Sequence, residues 1–354
     1  VPKEKQIVAG FDVGGAHLKV VRAQDGRIVA ASTVAMPLWQ GLDRLTTALR
    51  ECEPLYTGAD LCAFTMTGEL SDIFPSREEG VTALLARISE HFSTSEKLIY
   101  AGRKGFVGLD KALKLPMEVA SANWHATAAL VAAELADALF VDMGSTTTDI
   151  LAVKDGGIAF EGYSDAERLL TGELVYTGFT RTFLFGVASS APVRGRLTPV
   201  MNEYFASIAD VHRILRVLDE ADDKHATADG REKTVKASIT RMARLIGRDA
   251  AELSPREWRD VARWFSEQQL RTVHDAAVRV GGRLAEDVPI VGAGSGRWQI
   301  RRLAERMDRR FIDFAQLIPA EDEVRTDASS AGPASAVALL AGRGQQRNAL
   351  FPTS

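Results

Sequence analysis

The feature that most constrains this chain is a short pattern that occurs twice. Residues 11–20 read FDVGGAHLKV and residues 141–150 read VDMGSTTTDI, with Asp12 over Asp142 and Gly14 over Gly144. In each copy an apolar run ends on a carboxylate, turns at glycine and resumes as a second strand. The two copies lie about 130 residues apart, which predicts a duplicated domain rather than a solenoid, whose repeats are shorter. At 354 residues the chain is long enough to hold both copies.

The surroundings of the two copies share one local grammar. IVAGFDV, HLKVVRA and GRIVAASTVA predict three strands of a meander. GLDRLTTALRECEP is helical, with Leu42, Leu45 and Leu49 on one face. DLCAFTMTGE is a short buried strand ending in a Thr-Gly-Glu loop, GVTALLARISEHF a second helix and KLIYAG a further strand. A helix over 121–136, with Ser121 as its N-cap, leads into the second copy, where ALFVDMG, TTTDILAVK and GIAFEGYS are strands. Residues 200–285 are charged, helical in pattern and poor in strands, with 219–233 as a solvated loop. VPIVGAGSG gives one more strand and turn, before a basic helix from Arg297 and a small apolar helix over 328–342. The tail QQRNALFPTS is expected to fray. These elements predict an α/β protein of two lobes. The first is 1–130, with the helix 328–342 packing back on it. The second is 131–327, with a helical insert at about 200–285 and a glycine turn at 290–297.

Composition excludes several classes of partner. A net charge of −4 offers no field that would attract nucleic acid or an anionic membrane. No run of 18 apolar residues is present, so no membrane span is expected. VPKEKQIVAGF leads straight into a strand without a signal-peptide core. Cys52 and Cys62 read as reduced thiols of a cytoplasmic protein.

The repeated turns suggest a chemistry. A strand that ends at glycine and turns back exposes successive backbone N–H groups, and glycine permits the positive φ with which such groups converge on an anion. Ser145, Thr146, Thr147 and Thr148 add hydroxyl donors. Asp12 and Asp142, at the strand ends, are the expected contacts of Mg²⁺, which keeps most of its water and takes one or two carboxylates. The constellation fits a diphosphate. The third turn, GAGSG at 292–296, has the start of a Rossmann fingerprint, with Asp313 at the ribose-binding spacing. Against that reading, Arg297 stands where the third glycine belongs, and too little chain follows for a dinucleotide fold.

Taken together, FDVGGAHLK, VDMGSTTTD and IVGAGSG resemble the two phosphate hairpins and the nucleoside turn of the actin-like ATPase, sugar kinase and heat-shock chaperone superfamily. That resemblance covers almost the whole chain apart from the insert and implies the duplicated ribonuclease H-like fold. Within it, VDMGSTTTDI and NWHATA are similar to the hydantoinase/oxoprolinase branch. With SANWHATA and TGELVYTG added, the chain resembles the tetrahydromethanopterin-linked C1-transfer pathway proteins of methanofuran biosynthesis. The resemblance implies a transferase that joins an aminomethylfuran diphosphate to the phenol of a glutamyl-tyramine or tyrosine acceptor and releases pyrophosphate. Gly14, Gly15, Ala16, Lys19, Gly144, Ser145, Thr146 and Thr147 would then bind phosphate, with Mg²⁺ at Asp12 and Asp142. Asp142, Asp12, Asp149 and His125 are the candidate bases, and His17 is a further one. Asn123, Glu173, Gly292, Gly294 and Ser295 are expected to touch substrate or nucleoside. The reaction as implied needs no ATP or ADP, although the GAGSG turn could hold either. The competing expectation is an ATP-dependent small-molecule kinase or a hydantoinase/oxoprolinase-type ATPase. The final helix and the insert are expected to be able to form a homodimer.

Overall fold

The computed structural model describes residues 6–93 and 95–344, and the expected frayed tail lies outside them. The chain divides into two compact units. The first comprises the described residues of Val1–Ala138, Val153–Ala159 and Asp313–Ser354, and the second comprises Leu139–Ala152 and Phe160–Ile312.

In the first unit, β1 (Ile7–Val13), β2 (His17–Gln24), β3 (Arg27–Ala35), β4 (Leu61–Met66), β5 (Glu96–Tyr100) and β6 (Phe106–Val107) form one sheet in the order β3-β2-β1-β4-β5-β6. The meander β1–β3 is antiparallel, whereas β4 runs parallel to β1 and β5 parallel to β4. IVAGFDV and LCAFTM are continuous apolar runs because these central strands are buried on both faces. Ala9, Phe11 and Val13 point into a core shared with the helices Asp43–Glu51 and Arg77–His91. Phe11 stacks on Phe64 at 4.5 Å there, and Phe92 meets both rings edge-on. Gly10, on the alternate face, lies so close to the helix Gly332–Gly342 that a Cβ would overlap the Ala334 carbonyl oxygen. That helix is buried nearly all round within its own unit. Its apolar surface is therefore already covered, which removes one of the reasons for expecting a homodimer.

The helix expected over 121–136 runs from Asn123 to Glu134. Ser121 is not its cap: Ala122 holds that position, and Ser121 adopts φ 52° with its hydroxyl turned to Glu69.

The second unit contains most of β7 (Ala138–Met143) and β8 (Thr148–Lys154), while β9 (Gly157–Ala159) counts with the first. With β10 (Leu174–Val175), β13 (Ile290–Ala293) and β14 (Phe311–Asp313), the sheet order is β10-β8-β7-β13-β14. This repeats β3-β2-β1-β4-β5, with β7 in the place of β1 and β13 parallel to β7 as β4 is to β1. The duplication read from the hairpins is thus a duplication of strand order.

Between β10 and β13 lie the hairpin of β11 (Ser190–Val193) and β12 (Arg196–Pro199) and the helices Ile208–Leu215, Val235–Leu245 and Pro255–Gly281. The last starts at a Ser254/Glu257 capping box with proline in its first turn. These elements share a core that includes Ile208, Met242, Trp258 and Phe265. The segment 219–233 is largely exposed, as expected of a solvated loop, with Asp223 its one buried residue, but two of its carboxylates face inward. Its Asp223 accepts from the buried Arg213 at 2.6 Å and its Asp229 from the buried Arg241 at 3.1 Å. Both arginines also reach Asp210, so the acidic run of the segment is the counter-charge of two enclosed guanidinium groups. Among the described residues, no helix is long and apolar enough to cross a membrane.

Candidate active site

Each hairpin is a tight turn of one design. The Gly14 N–H donates to the His17 carbonyl at 3.0 Å, and the Gly144 N–H donates to Thr147 at 2.9 Å. Two carbonyls of each turn are already taken by neighbouring segments. Gly15 and Ala16 accept from Leu38 and Met36, while Gly144 and Ser145 accept from Phe179, Thr180 and Arg181. Among the described residues, the N–H groups of Gly15, Ala16, Ser145, Thr146 and Thr147 enter no backbone turn bond. Both hairpins thus keep their donors open while two of their carbonyls are occupied, an arrangement suited to an anion. The glycines do not act through a positive φ as expected, since none of Gly14, Gly15 and Gly144 adopts one. Gly14 is needed for close approach, because a Cβ there would stand 2.9 Å from the His17 oxygen. Above Gly15 nothing lies within 4 Å of a built Cβ.

Behind the first hairpin, at the carboxyl ends of β1 and β4, sits a buried polar cluster. Asp12 pairs with Thr65 in the strand register. Asp12 is 4% exposed; its Oδ2 lies 3.4 Å from the Lys19 ammonium, and its Oδ1 has no hydrogen-bond partner among the described residues. Burial raises its pKa above the ordinary carboxylate value, and Lys19 only partly opposes this. Lys19, expected at phosphate, is therefore at least partly committed to Asp12. Thr65 Oγ1 and Glu69 Oε2 are likewise buried without partners. Glu69 Oε1 accepts from Ser121 at 2.7 Å. The loop carrying Glu69 is stitched to the hairpin: the Thr67 N–H donates to Val13 at 2.9 Å, and a Cβ on Gly68 would meet the Gly14 oxygen at 2.9 Å. Burial also lifts the Glu69 pKa. Glu69, Thr65 and Ser121 escape a reading from sequence. The available signal was LCAFTMTGE, a buried strand running into a carboxylate as β1 runs into Asp12.

In the second unit the GAGSG turn packs on the hairpin. Gly294 has φ 79°, and a Cβ there would lie 2.5 Å from Asp142 Oδ1. The Gly296 N–H donates to Met143 at 2.9 Å. Gly292 is a packing glycine, since its Cβ would strike the Phe311 ring. Ser295 is half-buried in the turn.

Three expected site residues are engaged elsewhere. The enclosed His125 ring is bonded through Nδ1 to the Tyr100 hydroxyl at 2.8 Å and packs on Trp124. Asp149 accepts from the buried Arg168 at 2.6 Å, so its charge is neutralised within the fold. Glu173 is fully buried and accepts from Arg283 at 2.6 Å, from the Glu161 and Gly162 N–H groups at 2.7 and 2.8 Å, and from Thr171 at 2.9 Å. It ties a loop together through these bonds. Asn123 accepts the Trp124 N–H through Oδ1 at 2.8 Å, in the first turn of its helix. Among the described residues, no group of three or more His, Cys, Asp or Glu could hold a metal.

The Glu173 clamp carries a stability prediction. Burial pushes its pKa up, but the hydrogen bonds from Arg283, Gly162, Glu161 and Thr171 outweigh this and hold it below 4.5. Its stabilisation is therefore present above the unfolded-state value and lost as pH falls through the lower folded value. Glu173→Gln is expected to cost about 2–3 kcal/mol at pH 7, with the gap to the unaltered protein narrowing below about pH 4.5. Urea unfolding at neutral and acidic pH measures this. An unchanged stability with a raised KM would return Glu173 to the substrate.

The chain is similar to several known proteins. A model of the hydantoinase/oxoprolinase family matches residues 60–318. The chain is 30% identical over 338 residues to the (4-{4-[2-(gamma-L-glutamylamino)ethyl]phenoxymethyl}furan-2-yl)methanamine synthase of Methanocaldococcus jannaschii, covering 95% of this chain and 98% of that protein. It is 28% identical over 203 residues to the synthase of the same name from Methanococcus vannielii, covering 57% of this chain and 89% of that one. The nucleotide-free structure of acetone carboxylase shares the fold at 12% identity and TM-score 0.52, over 94% of this chain and 70% of that one. With the family model spanning well over half of the sequence, and a synthase aligned nearly end to end, the chain belongs to the hydantoinase/oxoprolinase family, on a duplicated α/β fold that it shares with acetone carboxylase.

Proposed function

We propose that the protein is a transferase of methanofuran-type cofactor biosynthesis. It condenses an aminomethylfuran diphosphate with the phenol of a glutamyl-tyramine or tyrosine acceptor and releases pyrophosphate. The product named for these synthases contains an aryl ether between a phenol oxygen and a furan methylene. Forming that bond from a diphosphate breaks the methylene C–O bond, and its electron pair departs with the pyrophosphate. The phenol oxygen attacks the methylene carbon, and its proton needs an acceptor. The observation that carries the reading is the pair of hairpins, each with a row of N–H groups that enter no turn bond. Donors placed where a leaving group gathers charge stabilise the transition state more than the ground state.

Asp12 and Asp142 remain the proposed magnesium contacts, each on its own unit. The buried Asp12 Oδ1 without a partner fits this role, because a carboxylate oxygen enclosed without a donor is stabilised by a cation. Bound there, Mg²⁺ supplies counter-charge for the leaving diphosphate. Glu69 takes the phenol proton. Enclosure makes its carboxylate a stronger base than a solvated one, and its loop is fastened to the first hairpin. A diphosphate is already activated, so the reaction consumes no ATP.

The test incubates nucleotide-free protein with synthetic aminomethylfuran diphosphate, Mg²⁺ and γ-glutamyl-tyramine or tyrosine, with and without ATP. Mass spectrometry should find the aryl ether, with equimolar pyrophosphate, in both arms. Ether formed only with ATP and in step with ADP would move the protein to the ATPase or kinase class, which the close packing of GAGSG on the second hairpin would then serve.

A further inference from the structure

A cavity of about 600 Å³ lies within the second unit beside its hairpin, with Thr146 in its wall. Arg181, Phe183, Tyr204 and His225 also line it. Its two carboxylates, Asp210 and Asp223, are held by Arg213 and Arg241 and so offer nothing to a ligand amine. Arg181 differs: among the described residues its guanidinium makes no ion pair or side-chain hydrogen bond.

Arg181 projects from a segment built rigidly onto the hairpin. Its N–H donates to Ser145 at 2.8 Å. A Cβ on Gly178 would lie 2.5 Å from the backbone of Ser145 and Thr146. Gly178 is clamped in turn, its N–H by Thr182 Oγ1 at 2.8 Å and its carbonyl by Gln269 at 2.7 Å. Beside Arg181, the Phe183 and Tyr204 rings pack at 4.2 Å yet stay 42% and 41% exposed. An aromatic pair with open surface next to an unpaired cation suits a ligand that is aromatic at one end and anionic at another. Burial and the nearby Arg181 lower the His225 pKa, so that ring adds a hydrogen-bonding group rather than a second cation. One free cation matches a single negative charge and not the several of a diphosphate.

We propose that this cavity seats the acceptor, a phenol bearing a carboxylate, with its ring against Phe183 and Tyr204 and its carboxylate on Arg181. This rests on the transferase reading and adds to it the residue that selects the acceptor. Calorimetric titration of the full chain with 3-(4-hydroxyphenyl)propionate, 4-ethylphenol and Mg²⁺–pyrophosphate tests it. The propionate should bind about tenfold or more tighter than 4-ethylphenol. Arg181→Met should erase that difference and leave pyrophosphate binding unchanged, while Tyr204→Ala should weaken both phenols. Absence of phenol binding to the unaltered protein would overturn the proposal. So would an Arg181→Met variant that loses pyrophosphate and keeps the propionate. Phenol binding without ether formation would leave the cavity standing and refute the reaction. Ether formation with an unchanged acceptor KM in Arg181→Met would do the reverse.

Discussion

Asp12→Asn is expected to lower turnover by about a thousandfold or more while leaving the melting temperature unchanged or slightly raised. Two observations combine in this. The carboxylate stands at the end of β1, immediately before the turn whose N–H groups are open, so loss of its charge would remove the proposed contact for a metal–diphosphate. It is also a cost to the fold. Burial raises its pKa, which means that the ionised form is disfavoured in the native state at neutral pH, and an uncharged isostere relieves that penalty. Lys19 loses its neighbour in the variant, but its side chain is 30% exposed and water can take over. A residue that weakens the structure it sits in and is needed for the reaction is the usual mark of a functional site. Steady-state rates with synthetic substrates and a thermal melt on the same preparation decide the matter. A folded Asn variant with a near-normal rate removes Asp12 from the chemistry, whereas a large drop in melting temperature reassigns it to structure.

How much of this could be read from the sequence depends on the range of the interactions. The hairpins were legible because a strand, a carboxylate and a glycine turn are contiguous, and their recurrence carried the duplicated sheet order with it. Asp149 and Glu173 were legible as carboxylates in the right segments, but not as spent ones. Their arginine partners come from Arg168 and from Arg283, which is 110 residues beyond Glu173. The segment 219–233 reads as solvated and is largely exposed, but nothing in DEADDKHATADGREK announces that two of its carboxylates will pair with the enclosed Arg213 and Arg241. Arg181 needed a cavity to become distinctive, since an arginine in TGFTRTF has no pattern of its own. Local chemistry is written in short stretches, and the choice between structural and reactive charges is made by long-range partners.

Glu69 brings both kinds of information together, and its substitution is the sharper test of mechanism. Glu69→Gln keeps the shape and the acceptor for the Ser121 hydroxyl while removing the basic site. We expect kcat to fall by about a hundredfold to ten-thousandfold with little change in KM for either substrate, the range associated with loss of a positioned base. The stability should move in the opposite sense to a structural clamp. Burial raises the Glu69 pKa more than the Ser121 and backbone hydrogen bonds lower it, so the ionised form weakens the native state at neutral pH. A raised folded-state pKa means that the unaltered protein gains stability relative to the Gln variant as pH falls and the carboxylate takes up its proton. The variant should thus melt at the same or a higher temperature at pH 7, with the gap closing on acidification. The pH–rate profile adds a separate reading, because the acidic limb assigned to Glu69 should vanish in the variant. If KM for the furan diphosphate rises and kcat holds, the carboxylate binds the aminomethyl cation of the donor and the proton goes elsewhere. If the variant melts well below the unaltered protein at pH 7, Glu69 is a structural acceptor for Ser121 and the base must be sought at Asp142.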